Sequence, residues 1–389
     1  MWIARDAEDL IRDLSKQFPV VFVTGARQVG KTSTLSRIFP KASYVTLDDP
    51  ARAAEAENAP QDFLSRLQSP VIIDEAQYAP DLFRHIKLIV DRAKKNGQFF
   101  ITGSQSFSLM QNLTESLAGR CGIVTLQPLS AAELARANRL AAVEDYISAG
   151  GFPVLHAGQD MQRQHWYPSY IATYLERDVR NILRVGSLRD FSRFLRAVAI
   201  RTAQTLSLSD LSRDAGVAPN TIKSWISVLQ ASHIIYLLEP YFHNLGKRLV
   251  KSPKLYFLDT GLAAYLMGLY SWDEIARSAM AGAFWETYAF NQIYSSLLAR
   301  GIGSPSLYYW RTKDGREVDF IIEKGGRFIA CEAKLTEMPG RDAVKGFENF
   351  KEYYGKDSLL QSFIICRTKK DFALTPEIRA VNGVTVEWV

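Results

Sequence analysis

The run PVVFVTGARQVGKT, from Pro19 to Thr32, decides the fold of the first third of the chain. Pro19 to Val23 is apolar without alternation, the pattern of a strand buried on both faces. After Thr24, the eight residues Gly25-Ala26-Arg27-Gln28-Val29-Gly30-Lys31-Thr32 fit GxxxxGK[ST], and Lys31 to Phe39 reads as a helix. Strand, glycine loop and helix in that order make a phosphate cradle. Glycines let backbone N–H groups crowd round an anion, and the helix N-terminus adds positive potential. The whole loop is therefore expected to hold a nucleoside triphosphate, with Lys31 reaching the β- and γ-phosphates and the Thr32 hydroxyl binding Mg²⁺. The chain has no NKxD motif to specify guanine, which favours ATP.

Working outward, short apolar strands are expected at Ser43 to Leu47, Val71 to Ile73, Phe99 to Thr102 and Val124 to Leu126, with helices at Leu82 to Lys95 and Ala131 to Asn138. Strands alternating with helices predict an α/β fold, a P-loop NTPase parallel sheet covered on both faces. Val71-Ile72-Ile73-Asp74-Glu75 ends in two carboxylates. At a strand's C-terminal edge Asp74 is placed to hold the magnesium shell, and Glu75 to take a proton from the attacking water. Ser104, after the fourth strand, is a candidate γ-phosphate sensor. Arg120 is a candidate arginine finger acting on a neighbouring subunit's nucleotide, which implies a homo-oligomer.

The second third is largely helical, broken at Gly150-Gly151-Phe152-Pro153, with an amphipathic helix expected over Tyr167 to Ile182. Leu208 to Ala215, the turn Gly216-Val217-Ala218-Pro219 and Asn220 to Gln230 read as a helix-turn-helix with Asn220 as N-cap. Ile234 to Leu238 and Lys254 to Leu258 are candidate wing strands. Thr221, Lys223 and Ser224, with Lys247, Arg248 and Lys251, are candidate DNA contacts. Against that, Ile222, Trp225, Ile226 and Leu229 mark a core-packing face on the same helix. After Asp259 a helix at Ala283 to Leu298 is followed by strands at Leu307 to Arg311, Glu317 to Ile322 and Phe328 to Glu332. Tyr308-Tyr309-Trp310-Arg311 is either a base-stacking strip or a core strand.

Composition sets the bounds. A chain of 389 residues suggests two or three domains. Hydrophobic residues at 47% and charged residues at 23% are those of an ordinary globular protein. No apolar run reaches the roughly 20 residues that span a bilayer. Met1 to Ser15 carries acidic residues and no signal-type apolar core, so a cytoplasmic location is expected. Cys121, Cys331 and Cys366 have no metal-ligand spacing, and the five histidines form no HExxH. A net charge of +6 is compatible with a nucleic-acid partner.

The motifs TGARQVGKT, VIIDEAQ, ITGSQSF, SLAGR, LQPLSAAEL, YLERDV and FLDTGLAAYL together resemble a family of prokaryotic AAA-type ATPases, related to archaeal and signal-transduction NTPases, whose C-terminal domain has long been of unknown function. The resemblance runs over essentially the whole chain. It implies an ATPase core (residues 1–140), a helical and winged-helix middle (141–258) and a PD-(D/E)XK nuclease-like α/β domain (259–389). In that last domain twelve residues separate Asp319 from Glu332-Ala333-Lys334, and Glu286 lies upstream on a helix. Glu286, Asp319 and Glu332 are then candidate ligands of Mg²⁺, with Lys334 stabilising charge in phosphodiester cleavage. The expected activity is ATP hydrolysis coupled to DNA binding or processing. Two other readings stay open, a nucleotide-driven switch that cuts nothing and a winged-helix transcription regulator.

Overall fold

The computed structural model describes residues 2–103, 115–158, 161–175, 188–241, 252–301 and 306–384, with 386 and 388. Its first sheet has five parallel strands, β1 (Val20–Thr24), β2 (Ser43–Thr46), β3 (Val71–Asp74), β4 (Phe99–Thr102) and β5 (Cys121–Thr125), in the order β2-β3-β4-β1-β5. β1 lies inside the sheet between β4 and β5 and is buried on both faces, as its unbroken valine and phenylalanine run requires. Two separate apolar clusters sandwich this sheet, one containing Val21 and Val23, the other Val20 and Phe22. Alternate side chains of one strand thus feed opposite layers. The consequence for the site is that β1 and β3 end at the same edge, one in the glycine loop and the other in Asp74-Glu75.

Between residues 188 and 257 the chain runs helix (Leu188–Ala199), β6 (Gln204–Thr205), helix (Leu208–Ala215), helix (Pro219–Ala231), β7 (Ile235–Leu238) and β8 (Lys254–Phe257). The three strands form an antiparallel sheet, β6-β8-β7. Trp225 wedges edge-on between Phe191 and Phe194, with ring centroids 5.3 and 5.1 Å away, so this face of the helix is core. Two local expectations are corrected. Pro219, not Asn220, opens the second helix, because its fixed φ suits the first helical position and its missing N–H costs nothing there. The helix expected from Tyr167 starts earlier, at Arg163, and at Ile171 passes into a π-helical turn; residues 176–187 lie outside the described set.

The third sheet is mixed, with β9 (Leu307–Arg311), β10 (Glu317–Lys324), β11 (Arg327–Lys334), β12 (Leu359–Cys366), β13 (Phe372–Thr375) and β14 (Ile378–Val381) in the order β13-β14-β12-β11-β10-β9. The helix Ala281–Ala299 covers one face, where Phe320 and Cys331 point, and the helix Lys345–Tyr354 covers the other, where Val318 and Ala330 point. Tyr309 and Trp310 are buried within these layers, so the core reading of that aromatic strip holds and base stacking by those two is excluded.

The motif FLDTGL is a structural junction. Asp259 is buried and caps its own helix through Leu262 N–H at 2.7 Å. It also accepts from Gly151 N–H at 2.7 Å and from Tyr167 OH at 2.9 Å. A methyl group at Gly150 or Gly261 would collide with the Asp259 carboxylate or the Tyr167 hydroxyl, which explains both glycines.

Candidate nucleotide site and carboxylate pocket

The glycine loop turns where its glycines permit. Gly25 (φ 139°) passes so close to the Leu126 carbonyl that any side chain would clash, and Gly30 (φ 90°) leads into the helix Lys31–Ile38. Lys31 is buried, and its Nζ donates to the Gly25 and Ala26 carbonyls at 3.1 and 2.9 Å. Burial pulls the ammonium below its usual pKa, opposed by Glu75 and Asp74. Arg27, Gln28 and Val29 complete the loop, with Gln28 at a left-handed φ of 66°.

Beside it, Thr32 Oγ1 donates to Asp74 Oδ1 at 2.7 Å. Asp74 also accepts from Thr102 Oγ1, and from Tyr44 OH at 2.9 Å through Oδ2. Hydroxyl and carboxylate oxygens this close, at the edge of a phosphate cradle, are the donor set that Mg²⁺ takes with a triphosphate, so the residues fit that ion. Glu75 follows in a left-handed conformation (φ 57°), strained for a residue with a side chain. Its N–H donates to Thr102 Oγ1 at 3.2 Å, and its carboxylate accepts from Gln77 Nε2.

Three contributors were not expected from the sequence. Arg5, buried behind the loop, donates to Val29 O (2.8 Å), Gln127 O (2.6 Å) and Glu133 Oε1 (3.1 Å). Tyr44 orients Asp74 from β2. His233, in the turn between the second helix and β7, brings Nε2 to 3.5 Å from Thr24 Oγ1. Burial and the Lys31 charge push its imidazole down to about 4. Ser104 lies outside the described residues, as do Lys247, Arg248 and Lys251. Arg120 stands at the other edge of the sheet, its carbonyl bonded to Val20 N–H and its guanidinium paired with Asp91, so it does not join this chain's own loop.

A second constellation forms in a cleft of about 600 Å³ in the C-terminal part, lined among others by Glu286, Glu317, Asp319, Glu332 and Lys334. Strand alternation puts Glu332 and Lys334 on one face, and Lys334 Nζ donates to Glu332 Oε2 at 2.7 Å. Burial and the Asp319 charge push the Glu332 carboxyl well up, and the same two causes raise Glu286. Asp319 Oδ2 accepts from Ala333 N–H at 2.9 Å. The expected metal set of Glu286, Asp319 and Glu332 is not assembled. Among the described residues no group of three or more His, Cys, Asp or Glu is arranged to hold an ion. Among these carboxylates stands Lys254, from β8, which the sequence did not single out. Its buried Nζ lies 2.9 Å from Glu286, 2.5 Å from Glu317 and 3.7 Å from Asp319. As it stands, the pocket does not fit a divalent cation.

Parallel sheet, phosphate loop and the Asp74-Glu75 edge define a P-loop ATPase, and residues 17–135 match the family described as AAA domain. Residues 140–273 and 281–384 match two more, described as Domain of unknown function (DUF8612) and Domain of unknown function (DUF4143). The chain belongs to the same family as Uncharacterized protein Rv2008c of Mycobacterium tuberculosis, being 35% identical to it over 340 residues that cover 86% of this chain and 74% of that protein. The same figures hold for Uncharacterized protein Mb2031c of Mycobacterium bovis. Among solved structures, the Walker-type ATPase PABY2304 of Pyrococcus abyssi is 17% identical, covering 68% of this chain and 96% of that one with a TM-score of 0.47. None of the described helices is long and apolar enough to cross a membrane.

Proposed function

We propose that this P-loop ATPase hydrolyses ATP with Mg²⁺ and couples its nucleotide state to nucleic-acid handling by the C-terminal part. The observation that carries the hydrolytic reading is the 2.7 Å contact between Thr32 Oγ1 and Asp74 Oδ1 beside Lys31 and Glu75. In that reading the loop N–H groups and Lys31 bind the phosphates, and Thr32 and Asp74 hold Mg²⁺, which neutralises phosphate charge when bound. Glu75 takes the proton of the attacking water. Arg120 would act only on a neighbouring copy, and only after leaving Asp91.

The DNA-handling half rests on the other two units. The helix–strand–helix–helix–strand–strand order of residues 188–257 supports a winged helix, and Lys223 and Ser224 are exposed on its second helix. The mixed sheet with Asp319, Glu332 and Lys334 around one cleft supports a nuclease-like fold. We divide the units at 1–140, 141–258 and 259–389, with the helix after Asp259 leaning back on the middle unit through Gly151 and Tyr167. With Lys254 paired to Glu286 and Glu317 and 3.7 Å from Asp319, the pocket lacks the metal set that cleavage would need. The same lysine favours a second reading, a nucleotide-driven switch that cuts nothing.

ATP hydrolysis with and without DNA, and Mg²⁺- or Mn²⁺-dependent nicking, would be measured for wild type, Lys31→Ala and Glu332→Ala. DNA stimulation that Lys31→Ala abolishes supports coupling. Hydrolysis indifferent to DNA, with no nicking, leaves the switch.

A further inference from the structure

Lys254 is unusual for what it joins. It lies on β8 of the middle sheet, yet its ammonium is buried among carboxylates of the C-terminal sheet and its helix, Glu286, Glu317 and Asp319. Glu286 is also held by Tyr256 OH at 2.6 Å, two residues along the same strand. Burial by itself would favour the neutral amine, but the carboxylates of Glu286, Asp319 and Glu317 outweigh it and keep the ammonium charged. Four carboxylates (Glu286, Glu317, Asp319, Glu332) therefore face two lysines (Lys254, Lys334), with Arg311 3.6 Å from Glu317 on the rim. Buried carboxylates are stabilised by a paired cation or by taking up protons, and the raised Glu286 and Glu332 show the second at work beside the first. Here the chain supplies its own cation.

The strand that carries Lys254 reaches back to the ATPase site. β7 and β8 pair antiparallel, Leu238 opposite Lys254 and Ile235 opposite Phe257. His233, two residues before β7, is the residue that approaches Thr24 and Lys31. From His233 to Leu238 is five residues, or about 17 Å of extended chain. One two-stranded ribbon thus has the phosphate loop at one end and the carboxylate pocket at the other. Beyond β7 it is tied to the C-terminal sheet by Tyr241 N–H to Tyr309 O at 2.7 Å and Tyr309 N–H to Glu239 O at 3.2 Å.

We propose that Lys254 is a built-in plug in the place a divalent cation would take, and that the β7–β8 ribbon lets nucleotide at the phosphate loop withdraw it. An ion and the plug compete for the same oxygens, so the pocket binds metal only when the ribbon shifts. A displacement of one or two ångströms along the ribbon suffices, because the 2.5–2.9 Å contacts to Glu317 and Glu286 do not survive it. The proposal rests on the nuclease-like reading only for what the opened pocket would do. Its test reads metal binding, so failure of cleavage does not touch it.

Mn²⁺ binding is measured by calorimetry and by Mn²⁺ spin resonance on full-length wild type, Lys254→Gln, Lys254→Arg, and Lys254→Gln combined with Glu332→Gln, without nucleotide. Lys254→Gln should gain a site, tighter by roughly a hundredfold or more because a like charge leaves the ion's position. The double variant should lose that site, and Lys254→Arg should stay like wild type. Wild type binding Mn²⁺ at a Glu332-dependent site as tightly as Lys254→Gln overturns the plug. Should Lys254→Gln fail to fold, Lys254→Met purified with Mn²⁺ present is read the same way, a gained Glu332-dependent site being expected and its absence overturning the plug. For the ribbon, a non-hydrolysable ATP analogue added to wild type should create the Glu332-dependent site, and His233→Ala should abolish that response. Indifference to the analogue overturns the coupling even where the plug stands.

Discussion

Replacing Arg5 by methionine removes a guanidinium that three parts of the ATPase unit share. Arg5 is 7% exposed and Glu133 5%, and they are joined at 3.1 Å. The same side chain donates to Val29 O within the phosphate loop and to Gln127 O after β5. Methionine fills much of the space but leaves the Glu133 carboxylate buried with only the N–H groups of Asp6 and Ser130. Taking one partner out of a buried ion pair costs about 3–5 kcal/mol, most of it for the charge left behind. The two lost carbonyl bonds fall within that figure, because they break together with the pair. Urea unfolding at pH 7, followed by a probe in the ATPase unit, is therefore expected to show a loss of that size, and the KM for ATP should rise as the Val29 carbonyl is released. Adding Glu133→Gln to Arg5→Met should restore a large part of the stability by removing the stranded charge. A loss below about 1 kcal/mol, or no recovery in the double variant, would refute the account of Arg5 as the buried tie behind the loop.

Asp259→Asn should destabilise the junction with Gly151, Leu262 and Tyr167 by about 2–4 kcal/mol in denaturant titration, since charge-assisted bonds are exchanged for weaker or mismatched ones. His233 has a folded-state pKa below its unfolded value, so the unfolded chain binds the proton first as pH falls. Stability should then decline from about pH 6.5 down to about 4, by at most 1.4 kcal/mol per pH unit, and His233→Gln should flatten that part of the profile. Gly346→Ala should shift its helix off the sheet and disturb the Glu332 carboxylate, because a methyl there meets both Glu332 Oε1 and the Glu317 carbonyl, and proton resonances of Lys334 should shift without global unfolding. No change at Lys334 would contradict that packing.

What the sequence made legible was local chemistry. The phosphate loop and Asp74-Glu75 are each written within one strand-to-loop segment, so spacing alone exposes them. Strand order β2-β3-β4-β1-β5 is not written that way, because pairing joins strands distant in the chain. Lys254 was invisible for the same reason. It looks like any strand lysine until the partner 32 residues further on is seen beside it. Arg5 and His233 likewise carry no motif, and their roles come from packing between segments more than a hundred residues apart. The misplaced helix start at Asn220 has a smaller cause, a good capping residue one position after a proline that opens the helix better. Tyr309 and Trp310 show the limit of composition, since an aromatic run reads alike as a stacking surface and as a buried strand.

The most direct test of the central claim is ATP hydrolysis by purified wild type and Lys31→Ala in the presence of Mg²⁺, with binding of a fluorescent ATP analogue measured alongside. Wild type is expected to turn over ATP, and Lys31→Ala to lose hydrolysis by at least about a hundredfold. Normal hydrolysis by Lys31→Ala would contradict the assignment of the Gly25 to Thr32 loop as the site of the reaction.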